Sequence, residues 1–173
     1  MVQETGKTDA IDVVEEREFR IESDARMHFL VAKEKMQDLR TWDKLSGTRL
    51  FHFQLVERTG DLLDIPPAQG DYLTIQDLEN NSTNTFWFIV DRIQEQTSDS
   101  HDEYGLFLSS TSSPMDLDAK QPSIEPMMMS IILRRSFERL AFEFRTTRSD
   151  VLNEHLIFNL RIAFQSLAEK LVD

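Results

Sequence analysis

Four histidines are the residues of this sequence best suited to acid–base or metal chemistry, and they are scattered: His28, His52, His101 and His155. A metal site needs several converging ligands, commonly at short spacings such as HExxH. The segment 153–155 reads Asn-Glu-His, but adjacent positions of a helix point to different sides. The sequence therefore predicts no metal site and no cofactor. Each histidine is expected at the surface or in a hydrogen bond.

The acidic and nucleophilic residues form no motif either. Asp61, Asp64 and Asp71 flank a Pro-Pro loop, but they lack the alternating oxygen ligands of an EF-hand. Five glycines leave little scope for a phosphate-binding loop, and no GxSxG sequence is present. The chain has no cysteine, which excludes disulfides and thiolate chemistry. No catalytic residue can be assigned from the sequence.

Charge and hydropathy exclude further classes of function. A net charge of −12 argues against binding to nucleic acid, because contacts with phosphate depend on Lys and Arg. The apolar runs are far shorter than the roughly 20 residues that span a bilayer, so we expect no membrane insertion. The N-terminal residues lack the apolar region of a secretory signal. We predict an acidic protein of the cytoplasm.

Apolar side chains are concentrated in the segment 124–147, which contains Met127–Met129 and then Leu140, Phe142 and Phe144 in alternation. Met and Phe fill cores, and they also line apolar cavities. Core filling and subunit contact is one interpretation, and a ligand cavity is the other, with His52 and Arg134 as polar anchors. The predicted wall of such a cavity consists of Phe51, Phe53, Phe86, Phe88, Met129, Phe142, Phe144 and Phe164.

Periodicity predicts the elements that must position these side chains. Residues 1–12 are expected to form a flexible tail, and 13–173 a single α+β domain. A helical segment follows the first strand, either as one long helix or as two short ones that bend near Thr41; we expect Ser23 or Asp24 to cap it and Gly47 to end it. A C-terminal helix is expected after a cap at 149 or 150. Period-two patterns predict strands over 13–21, 48–57, 71–78, 86–96, 104–111, 128–136 and 139–147.

The order of these elements, with DARMHFLVAKEKMQDLRTW after the first strand, resembles the helix-grip fold of the START/polyketide-cyclase-like (SRPBCC) superfamily. The hairpin-type connections predict a curved antiparallel sheet of about seven strands that grips the long C-terminal helix. The resemblance implies an apolar cavity between the sheet and this helix. Members of the superfamily bind lipids or hormones, act as cyclases or bind chaperones, so the fold alone does not select a function.

Three functional hypotheses follow. The first is a non-catalytic binding module for a small apolar or lipid-like ligand, which requires a cavity of at least ~300 Å³. The second is a structural or interaction protein that forms a homodimer, because residues 86–90 are apolar on both faces. The third is a cyclase-type enzyme, which requires a buried ionisable group with a shifted pKa.

Overall fold

The computed structural model describes residues 8–47, 49–79, 84–116 and 125–173. Its centre is one antiparallel sheet of seven strands in the order β1-β7-β6-β5-β4-β3-β2. The predicted architecture, a seven-stranded antiparallel sheet with a long C-terminal helix, is confirmed. The strands are β1 Asp12–Glu18, β2 Phe51–Val56, β3 Tyr72–Asp77, β4 Thr85–Thr97, β5 His101–Thr111, β6 Met128–Ser136 and β7 Arg139–Thr146.

The two faces of the sheet differ as the alternating sequence predicts. In β7, Leu140, Phe142 and Phe144 are fully buried, whereas Arg139 and Arg145 are exposed. Met127 and Met129 are buried and Met128 is 45% exposed, so the methionine triplet divides between the two faces. The buried side chains of each strand share one face because the period of a strand is two residues.

The C-terminal helix α3 (Glu154–Val172) lies on the buried face and contacts β1 and β7. Its apolar stripe of Leu156, Leu160, Ala163, Leu167 and Leu171 is buried, as predicted from the spacing. The predicted cap at residue 149 or 150 is wrong. The cap is Asn153, because its side chain accepts a hydrogen bond from the Leu156 N–H at 2.8 Å.

Of the two alternatives for the helical segment, the structure has the bent one: α1 (Glu22–Gln37), a 3₁₀ turn (Leu39–Thr41) and α2 (Trp42–Leu45). The predicted cap at Ser23 or Asp24 is wrong, because α1 begins at Glu22 and both residues lie in its first turn. Glu22 and Asp24 instead place negative charge at the positive end of the helix. Gly47 has a φ of 64° after α2, which agrees with the predicted stop.

A buried arginine joins α1 to the tips of two hairpins. The Arg135 side chain is fully buried, and its Nε donates to Asp102 Oδ2 at 2.7 Å. Its Nη1 donates to Glu22 Oε1 at 2.9 Å and to the Phe137 carbonyl at 3.0 Å, and its Nη2 donates to the Asp99 carbonyl at 3.1 Å. Burial lowers the pKa of Arg135, but its hydrogen bonds and charge contacts with Asp102 and Glu22 outweigh burial and raise it.

The N-terminal residues that are described pack against the domain. Thr8 donates through its backbone N–H and its hydroxyl to the Ser149 carbonyl, at 2.8 and 2.7 Å. Ile11 is 1% exposed and belongs to the core. Contacts with the domain therefore extend N-terminal of residue 13 as far as Thr8. Residues 1–7 of the predicted tail and 117–124 of the predicted long loop lie outside the described residues.

Candidate functional site

Aromatic side chains fill the space between the sheet and α3, which we call the sheet–α3 interior. Phe164 of α3 stacks on Phe144 with ring centroids 3.6 Å apart and an interplanar angle of 4°. Its ring also meets Trp42 and Phe53 edge-on, at 6.2 and 5.8 Å. These ring contacts occupy part of the sheet–α3 interior, where the sequence predicted a ligand cavity.

Most of the eight residues predicted to line a ligand pocket are packed in the core. Seven are at most 3% exposed and belong to the core: Phe51, Phe53, Phe88, Met129, Phe142, Phe144 and Phe164. Phe86 is half-buried and lines a separate depression of about 540 Å³ near Asp150–Leu156, in which polar surface predominates. The assignment of these residues to a ligand pocket stays a prediction. Of the eight, Phe53 also lines the cleft that is described next.

An open volume with mostly apolar walls lies at the β2 edge of the sheet, and we call it the β2 cleft. It measures about 300 Å³. The 3₁₀ turn and α2 form one side of it, β2 forms the second and the β2–β3 loop the third. Its described lining contains no residue of α3, so it lies outside the sheet–α3 interior. The lining consists of Leu39, Arg40, Asp43, His52, Phe53, Gln54, Leu55, Leu62, Leu63 and Asp64.

A hydrogen-bonded pair of side chains lies on the wall of the β2 cleft. His52 Nδ1 is 2.5 Å from Asp43 Oδ2, and both side chains are a little more than one-third exposed. The second oxygen, Asp43 Oδ1, accepts the Phe53 backbone N–H at 2.8 Å. Asp43 therefore joins α2 to β2 and orients the imidazole. His52, predicted as an anchor of a cavity between the sheet and α3, lines the β2 cleft instead.

A second cleft of about 210 Å³, the α1 cleft, adjoins the first. It lies between the end of α1 and Leu63–Pro66, and it shares Leu39, Arg40, Leu63 and Asp64 with the β2 cleft. Arg40 Nη1 contacts Asp64 Oδ1 at 2.8 Å, and its Nε and Nη2 donate to the Asp38 carboxylate at 2.9 and 3.0 Å. The hydrogen bonds from Arg40 lower the pKa of Asp38.

The other histidines and the second predicted anchor lie elsewhere. His155 Nε2 donates to Glu79 Oε2 at 2.6 Å; this bond and a second from Asn159 lower the pKa of Glu79. His28 and His101 are hydrogen-bonded to Asp24 and Ser100. Arg134 pairs with Glu103 and Glu143, at 3.3 and 2.5 Å, on the sheet face away from the helices. It therefore does not anchor a ligand in the β2 cleft.

Within the described ranges, no three His, Cys, Asp or Glu side chains converge closely enough to hold a metal ion. None of the helices there is long and apolar enough to cross a membrane. One buried group has a strongly shifted pKa: burial raises that of Tyr104 to about 12. Tyr104 is not among the lining residues of either cleft.

Solved structures share this architecture. The hypothetical protein jhp0584 from Helicobacter pylori is similar with a TM-score of 0.53 and 10% identity, over 94% of this chain and 86% of that chain. This chain has the helix-grip fold. The resemblance inferred from the order of elements is thus confirmed, and at 10% identity the similarity concerns the fold alone.

Two plant proteins are similar to this helix-grip chain with lower scores. Truncated norcoclaurine synthase from Thalictrum flavum gives a TM-score of 0.49 at 9% identity, over 99% of both chains. Major latex-like protein 151 from Panax ginseng gives 0.46 at 8% identity, over 94% of this chain and 98% of that chain. No protein-family model and no curated protein matches the sequence.

Most residues of the β2 cleft belong to no motif of the sequence. Asp64 has no EF-hand partners, and Asp43 and Arg40 lie in no recognisable pattern. One signal was present: Leu62, Leu63 and Ile65 are apolar residues in a proline-containing loop, where polar residues are usual. A second was His52, which lies on the face of β2 opposite Phe51 and Phe53.

Proposed function

We propose that the protein binds a small apolar or amphipathic ligand in the β2 cleft. The observation that carries this proposal is an apolar cleft of about 300 Å³ with an Asp–His pair in its wall. Ligand sites are typically concave, mostly apolar and supplied with a few oriented polar groups. The absence of cysteine supports a cytoplasmic location as part of the same proposal.

The loop side of the cleft leaves apolar surface in water. Leu62 is 66% exposed, although the backbone around it is fixed by a bridge between Val56 and Leu62 and by the Leu63 N–H, which donates to the Leu55 carbonyl at 2.9 Å. Covering apolar surface stabilises a complex by about 25 cal/mol per Å². A ligand that covers Leu62 therefore gains binding free energy without reordering this part of the loop.

The test uses N-phenyl-1-naphthylamine, a neutral apolar dye that fluoresces when it leaves water. We expect saturable binding with one dye per chain. Leu62→Asp introduces a carboxylate beside the apolar ligand and should weaken binding by at least about tenfold, which corresponds to ~1.4 kcal/mol. Leu30→Asp is the matched control, because Leu30 is 51% exposed on α1 and lines neither cleft.

Two results would count against the proposal. Fluorescence that rises linearly without saturation would show that the cleft does not bind the dye. Equal weakening by Leu62→Asp and Leu30→Asp, or no effect of Leu62→Asp, would place the dye outside the β2 cleft.

Self-association is a second candidate, favoured by apolar residues on the sheet face away from the helices. Tyr72 and Trp87 form an edge-on pair at 6.1 Å there, and Ile89 and Phe107 are half-buried on the same face. Apolar patches on a monomer often mark interfaces. Sedimentation velocity decides between the two: a homodimer that Ile89→Lys dissociates supports this candidate, and a monomer at high concentration rejects it.

A further inference from the structure

The position of one proton in the β2 cleft follows from the contacts of Asp43. A carboxylate accepts hydrogen bonds and donates none, so His52 Nδ1 carries the proton in the 2.5 Å contact with Asp43 Oδ2. In the neutral imidazole, Nε2 is then an acceptor. Asp43 cannot readily turn away, because its other oxygen accepts the Phe53 N–H at 2.8 Å. The cleft therefore offers a ligand an oriented acceptor.

The charges around the two clefts are mostly negative. Among the described lining residues, the carboxylates are those of Glu34, Asp38, Asp43 and Asp64, and the only guanidinium is that of Arg40. The local field therefore has the same sign as the net charge of −12.

Arg40 does not reverse this conclusion, because its charge is already shared between two carboxylates. Its Nε and Nη2 pair with the Asp38 carboxylate, and its Nη1 contacts Asp64 Oδ1 at 2.8 Å, so three of its five N–H donors are used. A bidentate pair of this kind is among the stronger hydrogen-bonded arrangements of charged side chains. A ligand carboxylate that approached the two remaining N–H donors would also meet the negative charges of Asp38 and Asp64.

We infer that the β2 cleft selects amphipathic ligands whose polar end donates hydrogen bonds, a hydroxyl or an ammonium group, and disfavours carboxylates. Leu39, Leu62 and Leu63 contact the apolar part, and His52 Nε2 accepts from the polar end. This inference rests on the proposed function, since it specifies the ligand of the same cleft.

The experiment compares three ligands with the same octyl chain, 1-octanol, octylamine and nonanoate, as competitors of the bound dye at a single pH near neutrality. Octanol and octylamine should displace the dye at concentrations at least about tenfold lower than nonanoate does, a difference of ~1.4 kcal/mol. Because the octyl chains are identical, the apolar contribution cancels and the order reports the polar end.

Asp43→Asn tests the role of the pair. The asparagine oxygen can still accept the Phe53 N–H, which turns the NH₂ group towards His52 Nδ1. Nδ1 must then accept, the proton moves to Nε2, and the cleft offers a donor where it offered an acceptor. The preference for octanol over nonanoate should fall by about tenfold or reverse.

Glu16→Gln is the control for net charge. It removes one negative charge at a residue of β1 that is outside both clefts, and it should leave the order of the three ligands unchanged. If Asp43→Asn does not fold, the order measured with the wild-type protein decides the question alone.

The outcomes separate the two proposals. Nonanoate that competes as well as octanol and octylamine, with the dye still lost in Leu62→Asp, overturns the ligand class and leaves the binding site in place. The ligand class would also be overturned if Glu16→Gln changed the order of the three ligands as much as Asp43→Asn does. Net charge alone would then explain the selectivity. Absence of dye binding to the wild-type protein overturns both proposals.

Discussion

At the scale of single residues, Tyr104 is a buried hydroxyl whose contacts predict a pH effect on stability. It is 1% exposed, and its oxygen completes no hydrogen bond with the described residues. The Gln37 amide is near enough to lower the pKa somewhat. Burial dominates, however, and Glu95 adds to it, so that the pKa rises from 10.0 to about 12.

The raised pKa of Tyr104 should therefore make the free energy of unfolding smaller in alkali. In this pH window the unfolded chain has lost the phenol proton and the folded chain keeps it, so stability falls as pH rises from about 10 to about 12. The two-unit shift corresponds to roughly 3 kcal/mol. Tyr104→Phe should lack this part of the fall, as measured by urea denaturation at a series of pH values.

Tyr104→Phe should also cost nothing at neutral pH, because it removes a buried polar group without a partner. The expected change is between zero and a stabilisation of about 1 kcal/mol. A variant that is less stable at neutral pH, or that loses stability in alkali as steeply as the wild type, would show that the hydroxyl has a partner in solution.

Phe137 is the second residue for which a prediction can be made, because its backbone conformation is strained. It has a φ of 54° at the tip of the β6–β7 hairpin and is 52% exposed. Its N–H donates to the Ser100 carbonyl and its own carbonyl accepts from Arg135, so its backbone is bonded on both sides. A side chain in the left-handed region costs about 1–2 kcal/mol.

Phe137→Gly should therefore stabilise the fold by at most about 1 kcal/mol, because glycine adopts a positive φ without strain. The loss of the edge-on contact between the Phe137 and His101 rings, whose centroids are 5.1 Å apart, offsets part of this gain. The midpoint of thermal unfolding measures this. Glu138→Gly, in the same turn but outside the left-handed region, should destabilise by roughly 0.5–1 kcal/mol. If both changes lower the midpoint equally, the strain at Phe137 is not real.

At the scale of elements, Arg135 determines how α1 and two hairpins fit together. Removing it leaves the Asp102 carboxylate 3% exposed and without its guanidinium. Arg135→Met should cost about 3–5 kcal/mol of unfolding free energy in urea, since breaking a buried pair strands a charge. The double variant Arg135→Met/Asp102→Leu should recover most of this loss.

Arg139 offers a matched comparison one strand away. It is 58% exposed and lies 4.0 Å from Glu16, so Arg139→Met should change stability by at most about 1 kcal/mol. Similar small effects at Arg135 and Arg139 would contradict the structural role of the buried pair.

At the scale of the whole molecule, the elements with a periodic pattern of apolar residues could be predicted from the sequence. Alternation at Leu140, Phe142 and Phe144 located β7, and the spacing of Leu156, Leu160 and Leu167 located α3. The cap of α3 could not be predicted from the residue types alone. The Ser149 side chain accepts the Val151 N–H at 3.1 Å in a turn that precedes the helix, and Asn153 caps α3.

The β2 cleft escaped prediction for a related reason. It forms where α2 turns into β2 and where the β2–β3 loop returns to the 3₁₀ turn, and neither connection has a period. Asp43 and His52 meet across the first of these connections, and Arg40 and Asp64 across the second. The sequence shows which residue types occur in these two connections, but only the tertiary structure brings the residues into contact.

The packing of the sheet–α3 interior leads to a prediction about stability and about the binding of benzene. Phe164 is fully buried among Phe144, Trp42 and Phe53, so Phe164→Ala should cost about 3–5 kcal/mol. An apolar cavity of this kind takes up benzene. Benzene should therefore raise the melting temperature of the variant more than that of the wild type. Equal increases would indicate that the interior already has space for a ligand.

The central claim is that this helix-grip protein binds its ligand at the β2 edge and not beneath α3. Titration of N-phenyl-1-naphthylamine into the isotope-labelled protein, followed by amide NMR shifts, tests it directly. We predict saturable shifts centred on Leu39, Asp43, His52 and Leu63. Saturable shifts centred on Phe144 and Phe164 instead would contradict the claim and return the ligand to the sheet–α3 interior.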